Sequence, residues 1–308
     1  MRHLFIINPT AGKRDSTAQL VRQIEALALD AEIAYTNRRG DAQRITEEAA
    51  ARGEPLRIYA CGGDGTLNEV VNGAAGQDHV AVTNVSKGTG NDFLKIFGPT
   101  AKERFSDLEA LSKGPQAQFD VMDCNGKLGI GVICAGVDAR IAADVHKYKR
   151  LPLISGIGAY ILSLVVNVLF KGIARPMDVE MGGGRRTGET AILCVCNGRY
   201  YGGGFMPVGE AMPDDGILDI LMVPKVSRFT FFRLVGKYAV GRYREYPDLI
   251  WDYHGDRVTY SSDCEIVTVV DGEVMRANSF TVTLSDRKVN FFYPADLNYQ
   301  PQISTPRA

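Results

Sequence analysis

The segment that decides the fold of this 308-residue chain is a glycine-rich turn between two apolar stretches. It reads Cys61-Gly62-Gly63-Asp64-Gly65-Thr66-Leu67-Asn68-Glu69-Val70-Val71-Asn72-Gly73. The apolar run at 56–60 predicts a buried strand, and the residues after the turn have the spacing of one helix face. Such a turn directs backbone N–H groups and the positive end of a helix dipole at one point, where phosphate usually binds.

The aspartate within this turn indicates more than anion binding. A bare Asp64 carboxylate would repel phosphate unless a divalent cation, or a hydroxyl about to be phosphorylated, lay between them. The segment therefore predicts nucleotide-dependent phosphoryl transfer. A plain strand-to-helix turn with Asp64 as its cap is the simpler alternative.

The composition is that of a soluble globular protein long enough for two domains, with 45% hydrophobic and 23% charged residues. Lysine and arginine number 35 and the acidic residues 36, and this net charge of −1 argues against a nucleic-acid partner. The six cysteines form no C-x-x-C pair. Most of them lie in apolar, strand-like contexts and are interpreted as buried reduced thiols of a cytoplasmic protein, without a zinc site.

Residues 1–120 alternate strand and helix signals: strands at 4–7, 31–35, 56–60 and 80–84, and helices at 15–29, 42–51 and 67–72. This order predicts an α/β domain, a parallel sheet with helices on both faces and ligands at the carboxyl ends of its strands. From about 119 onwards the chain changes to short alternating strands, at 119–124, 128–135, 177–181, 191–197, 218–224, 257–261, 265–270 and 279–284. These predict a mostly antiparallel β-sandwich.

Two further turns follow predicted strands of the first domain. The turn Asn8-Pro9-Thr10-Ala11-Gly12-Lys13 could reach a phosphate through Lys13, although it is not a Walker A loop and could equally be a solvated turn. In the second, Ser86-Lys87-Gly88-Thr89-Gly90-Asn91-Asp92-Phe93, Thr89 and Asn91 could bond phosphate oxygens and Asp92 could hold a metal ion. Two aspartate-bearing glycine turns in one parallel sheet strengthen the phosphoryl-transfer interpretation.

Four acidic residues from position 120 onwards have both a structural and a chemical interpretation. Asp120 is either a strand-end residue or part of the site. Asp215 lies in a turn that could also form a small cation site with oxygen ligands. Asp271 and Glu273 flank Gly272 in a hairpin signal, and such a pair can supply a general base for a hydroxyl nucleophile.

Two segments raise the question of membrane contact. Residues 151–170 carry no charge and are long enough to span a bilayer, but their polar and glycine content favours a helix that is buried or lies at a membrane surface. Residues 227–246 mix aromatic and basic side chains. They predict either a packed helix with a solvated basic face or an interfacial helix facing anionic lipid.

These motifs, in this order, resemble the bacterial diacylglycerol kinase-like lipid kinases, over nearly the whole chain. The resemblance implies an NAD kinase- and phosphofructokinase-like α/β domain (1–120), a β-sandwich acceptor domain (121–288) and a C-terminal segment (289–308) that returns to the first domain. It also implies that ATP binds in the cleft with Mg²⁺. The implied nucleotide-binding residues are Asn8, Pro9, Thr10, Ala11, Gly12, Lys13, Thr36, Gly62, Gly63, Asp64, Gly65, Thr66, Leu67, Asn68, Thr89 and Asn91.

The resemblance assigns the acidic residues as well. Asp64, Asp92 and Asp120 would form an active-site network, and Asp271 would be the catalytic base, with Glu273 as second choice. A structural magnesium site would use Asp215 and the backbone carbonyls of Met212 and Ile217.

The resulting hypothesis is an ATP- and Mg²⁺-dependent kinase that phosphorylates a lipid hydroxyl, with diacylglycerol as the first candidate and phosphatidic acid as its product. Phosphatidylglycerol, a sphingoid base or an isoprenoid alcohol stay open as acceptors. Such a protein would be cytoplasmic and contact the membrane peripherally, and a homodimer is compatible with it. The alternatives are a kinase for a soluble acceptor such as NAD and a nucleotide-sensing protein without activity.

Overall fold

The first part of the chain folds into four parallel strands in the computed structural model, which describes residues 1–12, 17–88, 90–148 and 162–301. They are β1 (Arg2–Ile7), β2 (Ala31–Tyr35), β3 (Leu56–Gly62) and β4 (Val80–Ser86), in the sheet order β4-β3-β1-β2. Helices α1 (Thr17–Glu25), α2 (Asp41–Ala50) and α3 (Asp64–Ala74) connect them. The apolar runs of β3 and β4 are buried almost throughout, as in strands covered on both faces.

Helix α2 begins where helix α3 can stabilise it. The Glu69 carboxylate on α3 accepts hydrogen bonds from the backbone N–H groups of Gly40 (2.8 Å) and Ala42 (3.0 Å). A carboxylate at a helix N-terminus satisfies amides that have no partner within the helix and opposes the positive end of its dipole. Glu69 therefore holds the loop after β2 beside the glycine turn after β3.

Short helices lead out of the parallel sheet: a 3₁₀ turn (Phe93–Phe97), α4 (Ala101–Arg104) and α5 (Leu108–Lys113). The antiparallel strands that follow are β5 (Gln116–Cys124), β6 (Lys127–Gly129), β7 (Val132–Gly136), β8 (Arg175–Met181), β9 (Gly184–Cys196), β10 (Leu218–Pro224), β11 (Trp251–Gly255), β12 (Arg257–Val270) and β13 (Glu273–Phe292). Helix α6 (Val137–Tyr148), a π-helical turn (Val166–Phe170), helix α7 (Arg228–Tyr238) and a 3₁₀ turn (Tyr243–Glu245) lie among them.

Strand β13 belongs to both parts of the molecule. Over its 20 residues it pairs antiparallel with β12 and β5, and near its end Asn290 and Phe291 pair in parallel with Ala81 and Val82 of β4. Beyond it, Tyr293, Leu297 and Tyr299 pack against the hydrophobic core of the parallel sheet. The sheet thus continues from the parallel strands into the antiparallel ones, which confirms the predicted α/β domain with a mostly antiparallel second part.

Some predicted boundaries were wrong. Residues 128–135 form two strands, β6 and β7, with a break at Ile130 and Gly131. Helix α1 ends at Glu25 and not at the predicted residue 29. Strand β11 was not predicted, because its residues alternate between partly buried and exposed without a strong apolar run. Among the described residues, no helix is both long and apolar enough to cross a bilayer. Lys13, Thr89 and residues 149–161, on which three predictions depend, lie outside the described part.

Candidate active site

Three loops meet at the carboxyl ends of β1, β3 and β4. Asn8 after β1 donates from Nδ2 to the hydroxyl of Thr66 after β3 (3.2 Å). The loop after β4 is bonded to the same glycine turn, because Gly88 N–H (3.2 Å) and Asn91 Nδ2 (3.1 Å) both donate to the carbonyl of Gly62. The predicted phosphate-binding segments therefore form one connected surface.

The loops approach each other so closely that glycine is required. A Cβ atom on Gly88 would lie 2.6 Å from Gly63 Cα, and a Cβ atom on Gly62 would lie 2.2 Å from Thr66 Oγ1. Since the first contact is with backbone, a side chain at Gly88 would push the two loops apart. Glycine at position 88 is thus explained by packing of backbone against backbone, and glycine at position 62 by the Thr66 side chain that packs against it.

A polar cavity of about 660 Å³ opens over these loops. It is lined by eleven of the residues predicted for the nucleotide or the base: Asn8, Thr10, Ala11, Gly12, Thr36, Gly63, Asp64, Gly65, Thr66, Asp271 and Glu273. Helix α3 begins here at Asp64, and no side chain caps its N-terminus. Sequence reasoning missed Asn37, Arg38 and Arg39, which line the same cavity and carried no motif beyond following Thr36.

A second, mainly apolar cavity of about 230 Å³ lies on the other side of the glycine turn. Leu67 and Asn68, predicted as nucleotide contacts, line this cavity and not the polar one. Its other walls come from the 3₁₀ turn, the β6–β7 break, α6 and the loop after β9, and include Phe93, Ile130, Val132, Cys134, Asp138, Ala142, Tyr201 and Phe205. None of these wall residues except Phe93 belonged to a motif, so the sequence did not predict the cavity.

Three of the predicted nucleotide-binding residues line neither of these two cavities and instead position the loops: Pro9, Gly62 and Asn91. Pro9 lines a small separate pocket beneath the first loop. Asn91 is buried with a φ of +50°, and its side chain donates to the Asn84 side chain (2.6 Å) as well as to Gly62. An asparagine suits this left-handed backbone position and bonds the two loops at once.

Two of the predicted acids are in direct contact. The Asp64 carboxylate accepts a hydrogen bond from the Asp92 N–H (2.6 Å), and the Asp92 carboxylate accepts from Lys95 (2.5 Å) and from the Gly203 N–H (2.7 Å). Burial raises the pKa of Asp64 to about 6, helped by the negative charges of Asp92 and Asp271. Burial and these neighbouring charges thus disfavour the ionised form of Asp64, and a bound cation would favour it.

Asp271 lies at the boundary between the two cavities. Its φ is +46°, and its carboxylate accepts hydrogen bonds from the N–H groups of Ile130 (2.7 Å), Gly131 (3.0 Å) and Val132 (2.9 Å) and from Asn68 Nδ2 (3.2 Å). The break between β6 and β7 supplies these three amides. Burial raises the pKa of Asp271, while the hydrogen bonds act in the opposite direction.

The two remaining acids predicted for the active site, Glu273 and Asp120, do not lie at the boundary between the cavities. Glu273 forms an ion pair with Arg39 at the polar cavity. Asp120 lines neither cavity: its buried carboxylate pairs with Lys288 (2.6 Å) and accepts from the Gly216 N–H (2.9 Å), beside the turn that holds Asp215. The structure therefore brings Asp64, Asp92 and Asp271 together and places Asp120 with the predicted structural cation site.

The acidic groups fit magnesium only if a ligand completes its coordination. Within the described ranges, no three His, Cys, Asp or Glu side chains converge as a ready-made metal site. Magnesium commonly uses one or two carboxylates together with phosphate oxygens and water, and Asp64 with Asp92 could supply the carboxylates. At the second site, Asp215 Oδ1 accepts a hydrogen bond from the Ile217 N–H (3.0 Å), a contact within the turn. The backbone carbonyls of Met212 and Ile217 stay predicted ligands of a cation there.

Asp138 is one of the residues that line the apolar cavity. It follows strand β7 at the start of α6, where its carboxylate accepts from the Ala139 N–H (2.8 Å) and the Tyr201 hydroxyl (3.0 Å). Burial raises the pKa of Asp138 to about 7, despite these hydrogen bonds. Its position two residues after a buried strand was the only sequence signal for this residue.

This raised pKa predicts a pH dependence of stability. An aspartate with a higher pKa in the folded state than its ordinary value of 3.8 binds its proton more tightly when folded, so stability falls as pH rises between about 4 and 7. We expect the free energy of unfolding to decrease less steeply with pH in Asp138→Asn than in wild type, by up to about 1 kcal/mol per pH unit. Denaturant unfolding at pH 5, 6 and 7 measures this. Parallel pH profiles for wild type and variant would contradict the assignment.

Comparison with known proteins identifies the family. The model of the diacylglycerol kinase catalytic domain matches residues 2–124, and that of the YegS C-terminal NAD kinase beta sandwich-like domain matches residues 131–292. A Pseudomonas aeruginosa protein named "Probable lipid kinase YegS-like" is 31% identical over 233 residues, covering 72% of this chain and 71% of that protein.

A second curated relative and one solved structure are also similar to this chain. The "Diacylglycerol kinase" of Bacillus subtilis (strain 168) is 27% identical over 278 residues, which are 88% of this chain and 89% of that protein. The crystal structure of a diacylglycerol kinase from Bacillus anthracis str. Sterne shares the fold, with a TM-score of 0.67 and 20% identity over 95% of this chain and 96% of that one. With both parts of the chain matched, the protein belongs to the diacylglycerol kinase-like family of lipid kinases.

Proposed function

We propose that this protein transfers the γ-phosphate of ATP, with Mg²⁺, to the hydroxyl of a membrane lipid, and that diacylglycerol is converted to phosphatidic acid. The acceptor would be reached by a cytoplasmic protein that contacts the membrane peripherally. Membership of the family supports lipid kinase activity. We propose in addition the identity of the nucleotide, the cation and the acceptor, and the location of the protein.

One observation carries the proposal: Asp64 and Asp271 line both cavities. The polar cavity has glycine amides and arginines that suit phosphates, and the apolar cavity has walls that suit acyl chains. A reaction that joins a phosphate to a lipid hydroxyl needs its two substrates to meet at one point. The two shared carboxylates mark that point.

On the polar side, the loops would position the phosphates. The turn from Gly63 to Thr66, at the start of α3, lines the cavity, with Arg38 and Arg39 along its wall. Backbone amides at the N-terminus of a helix suit a phosphate group. Amides and guanidinium groups stabilise the charge that spreads over the transferring group. Bound Mg²⁺, held by Asp64 and Asp92, would supply further charge neutralisation there.

On the apolar side, the acceptor hydroxyl would meet Asp271. The amides of Ile130, Gly131 and Val132 fix the orientation of this carboxylate, and burial raises its pKa, which makes it a better base. Asp271 would accept the hydroxyl proton as the lipid oxygen attacks the phosphorus. The apolar walls would exclude water and so limit hydrolysis of ATP.

The test is transfer of labelled phosphate from ATP and Mg²⁺ into a panel of acceptors. Diacylglycerol, phosphatidylglycerol, a sphingoid base and an isoprenoid alcohol would be presented in mixed micelles, and NAD in solution. We expect labelled phosphatidic acid from diacylglycerol and no labelled NADP. Labelled NADP without labelled lipid would replace the proposal with a soluble-acceptor kinase, and ATP binding without any product would replace it with a nucleotide sensor.

A further inference from the structure

Helix α7 has apolar side chains on two faces. Phe231, Leu234 and Tyr238 are buried in the core of the antiparallel domain and hold the helix in place. On the opposite face, Phe229 is 80% exposed and Phe232 is 47% exposed, three residues apart and so on one side of the helix. Packing of the helix does not explain the exposed pair.

A second exposed apolar pair lies beside the start of this helix. In the π-helical turn, Leu169 is 44% exposed and Phe170 is 79% exposed. The guanidinium of Arg228, the first residue of α7, donates to the carbonyls of Val168 (3.1 Å) and Leu169 (3.0 Å). This contact joins the turn to the helix. We call Leu169, Phe170, Phe229 and Phe232 the aromatic edge.

Positive charge accompanies the aromatic edge. Arg228 and Arg233 are exposed on the same helix, and within the described ranges neither forms an ion pair with a carboxylate. Arg228 bonds only to neutral carbonyls there, so its charge is not neutralised. Apolar side chains beside unpaired arginines suit the surface of an anionic bilayer, where rings enter the headgroup region and arginines approach lipid phosphates.

The aromatic edge is connected to the apolar cavity. At the other end of α7, the Tyr238 hydroxyl lies 3.3 Å from the hydroxyl of Tyr201, which lines that cavity. Helix α6 makes a second connection, since it carries Asp138 at the cavity and Arg140, whose guanidinium donates to the carbonyl of Gly172 (2.8 Å) just after the turn. A bilayer at the aromatic edge would therefore lie next to the part of the molecule that encloses the cavity.

We propose that the aromatic edge, with Arg228 and Arg233, docks this protein on anionic lipid bilayers. The inference rests on the proposed function in one respect, because a lipid acceptor is what makes a bilayer the expected partner. The docking surface itself is defined by exposure and charge, independently of the reaction.

The test is co-sedimentation of the full chain with phosphatidylcholine vesicles that contain or lack phosphatidylglycerol. We expect binding to the anionic vesicles, a loss of about tenfold or more in partitioning for the Phe170→Ser/Phe229→Ser double variant, and a loss of about fivefold for Arg233→Gln. Tyr35→Ser, which removes an exposed aromatic residue of the first domain, is the matched control and should bind as wild type does. Because Phe170 and Phe229 are exposed, the double variant should have the same melting temperature as wild type.

Different failures of this test have different meanings. Equal vesicle binding by wild type and the double variant would overturn the docking surface, even if diacylglycerol is phosphorylated. A wild-type dimer that dissociates in the double variant, without vesicle binding, would assign the edge to a second copy of the chain and also overturn the proposal. Loss of vesicle binding in the variants, from a protein that phosphorylates no lipid, would support docking and remove the proposed function.

Discussion

Replacing Asp271 with asparagine should reduce turnover by about 10²- to 10⁴-fold, the usual contribution of a positioned general base. An amide cannot accept the hydroxyl proton. It also fits the site poorly, because both carboxylate oxygens accept hydrogen bonds, from Ile130 and Asn68 on one side and Gly131 and Val132 on the other. The NH₂ group of asparagine would face donors, so we also expect a lower melting temperature.

The measurement is the single-turnover rate at saturating ATP, with ATP affinity determined separately by titration. We expect ATP affinity to change by less than the rate, because the phosphate-binding loops do not depend on Asp271. The matched variant is Glu273→Gln, in which the changed carboxylate pairs with Arg39 and lines only the polar cavity. A large rate loss for Glu273→Gln together with near-normal turnover for Asp271→Asn would contradict the assignment of the base.

Gly88→Ala should weaken ATP binding more than tenfold and destabilise the protein by about 1–3 kcal/mol, the usual cost of forcing a group into a packed site. The new Cβ would lie 2.6 Å from Gly63 Cα, so the loops after β3 and β4 must separate. Their separation would stretch the hydrogen bonds from Gly88 and Asn91 to the Gly62 carbonyl and displace the amides that line the polar cavity.

Gly236→Ala is the control for this variant. Gly236 lies inside α7, and a Cβ there would meet no atom within 4 Å apart from its chain neighbours and the backbone of its own helix. Alanine in a helix interior should stabilise the protein by up to about 1 kcal/mol and leave ATP affinity unchanged. Calorimetric titration and thermal unfolding give both quantities. Unchanged ATP affinity in Gly88→Ala would show that the contact between the loops does not position the phosphate site.

The parallel half of the fold was predictable because its signals are local. Strands β3 and β4 are apolar runs followed directly by glycine turns, and strands ending at one edge of a sheet bring those turns together. The contact between Asp64 and Asp92 follows from this arrangement alone, although the residues are 28 positions apart.

Other features of the site depend on distant parts of the chain. The break at Ile130 and Gly131 forms because their amides bond Asp271, about 140 residues later, and no local pattern indicates this. Asp120 pairs with Lys288 on β13, a strand whose full length of 20 residues was not visible in its short alternating segments. The apolar cavity has walls from several elements, so single-residue patterns could not predict it.

The central claim is that phosphate passes from nucleotide to lipid at the point where the two cavities meet. The most direct test is a crystal structure with a non-hydrolysable ATP analogue, Mg²⁺ and a short-chain diacylglycerol. We predict phosphates on the Gly63 to Thr66 turn, acyl chains in the apolar cavity, and the acceptor oxygen within about 3.5 Å of both the γ-phosphate and Asp271, as a reactive geometry requires. A nucleotide in the apolar cavity, or an acceptor hydroxyl at a carboxylate other than Asp271, would contradict the account.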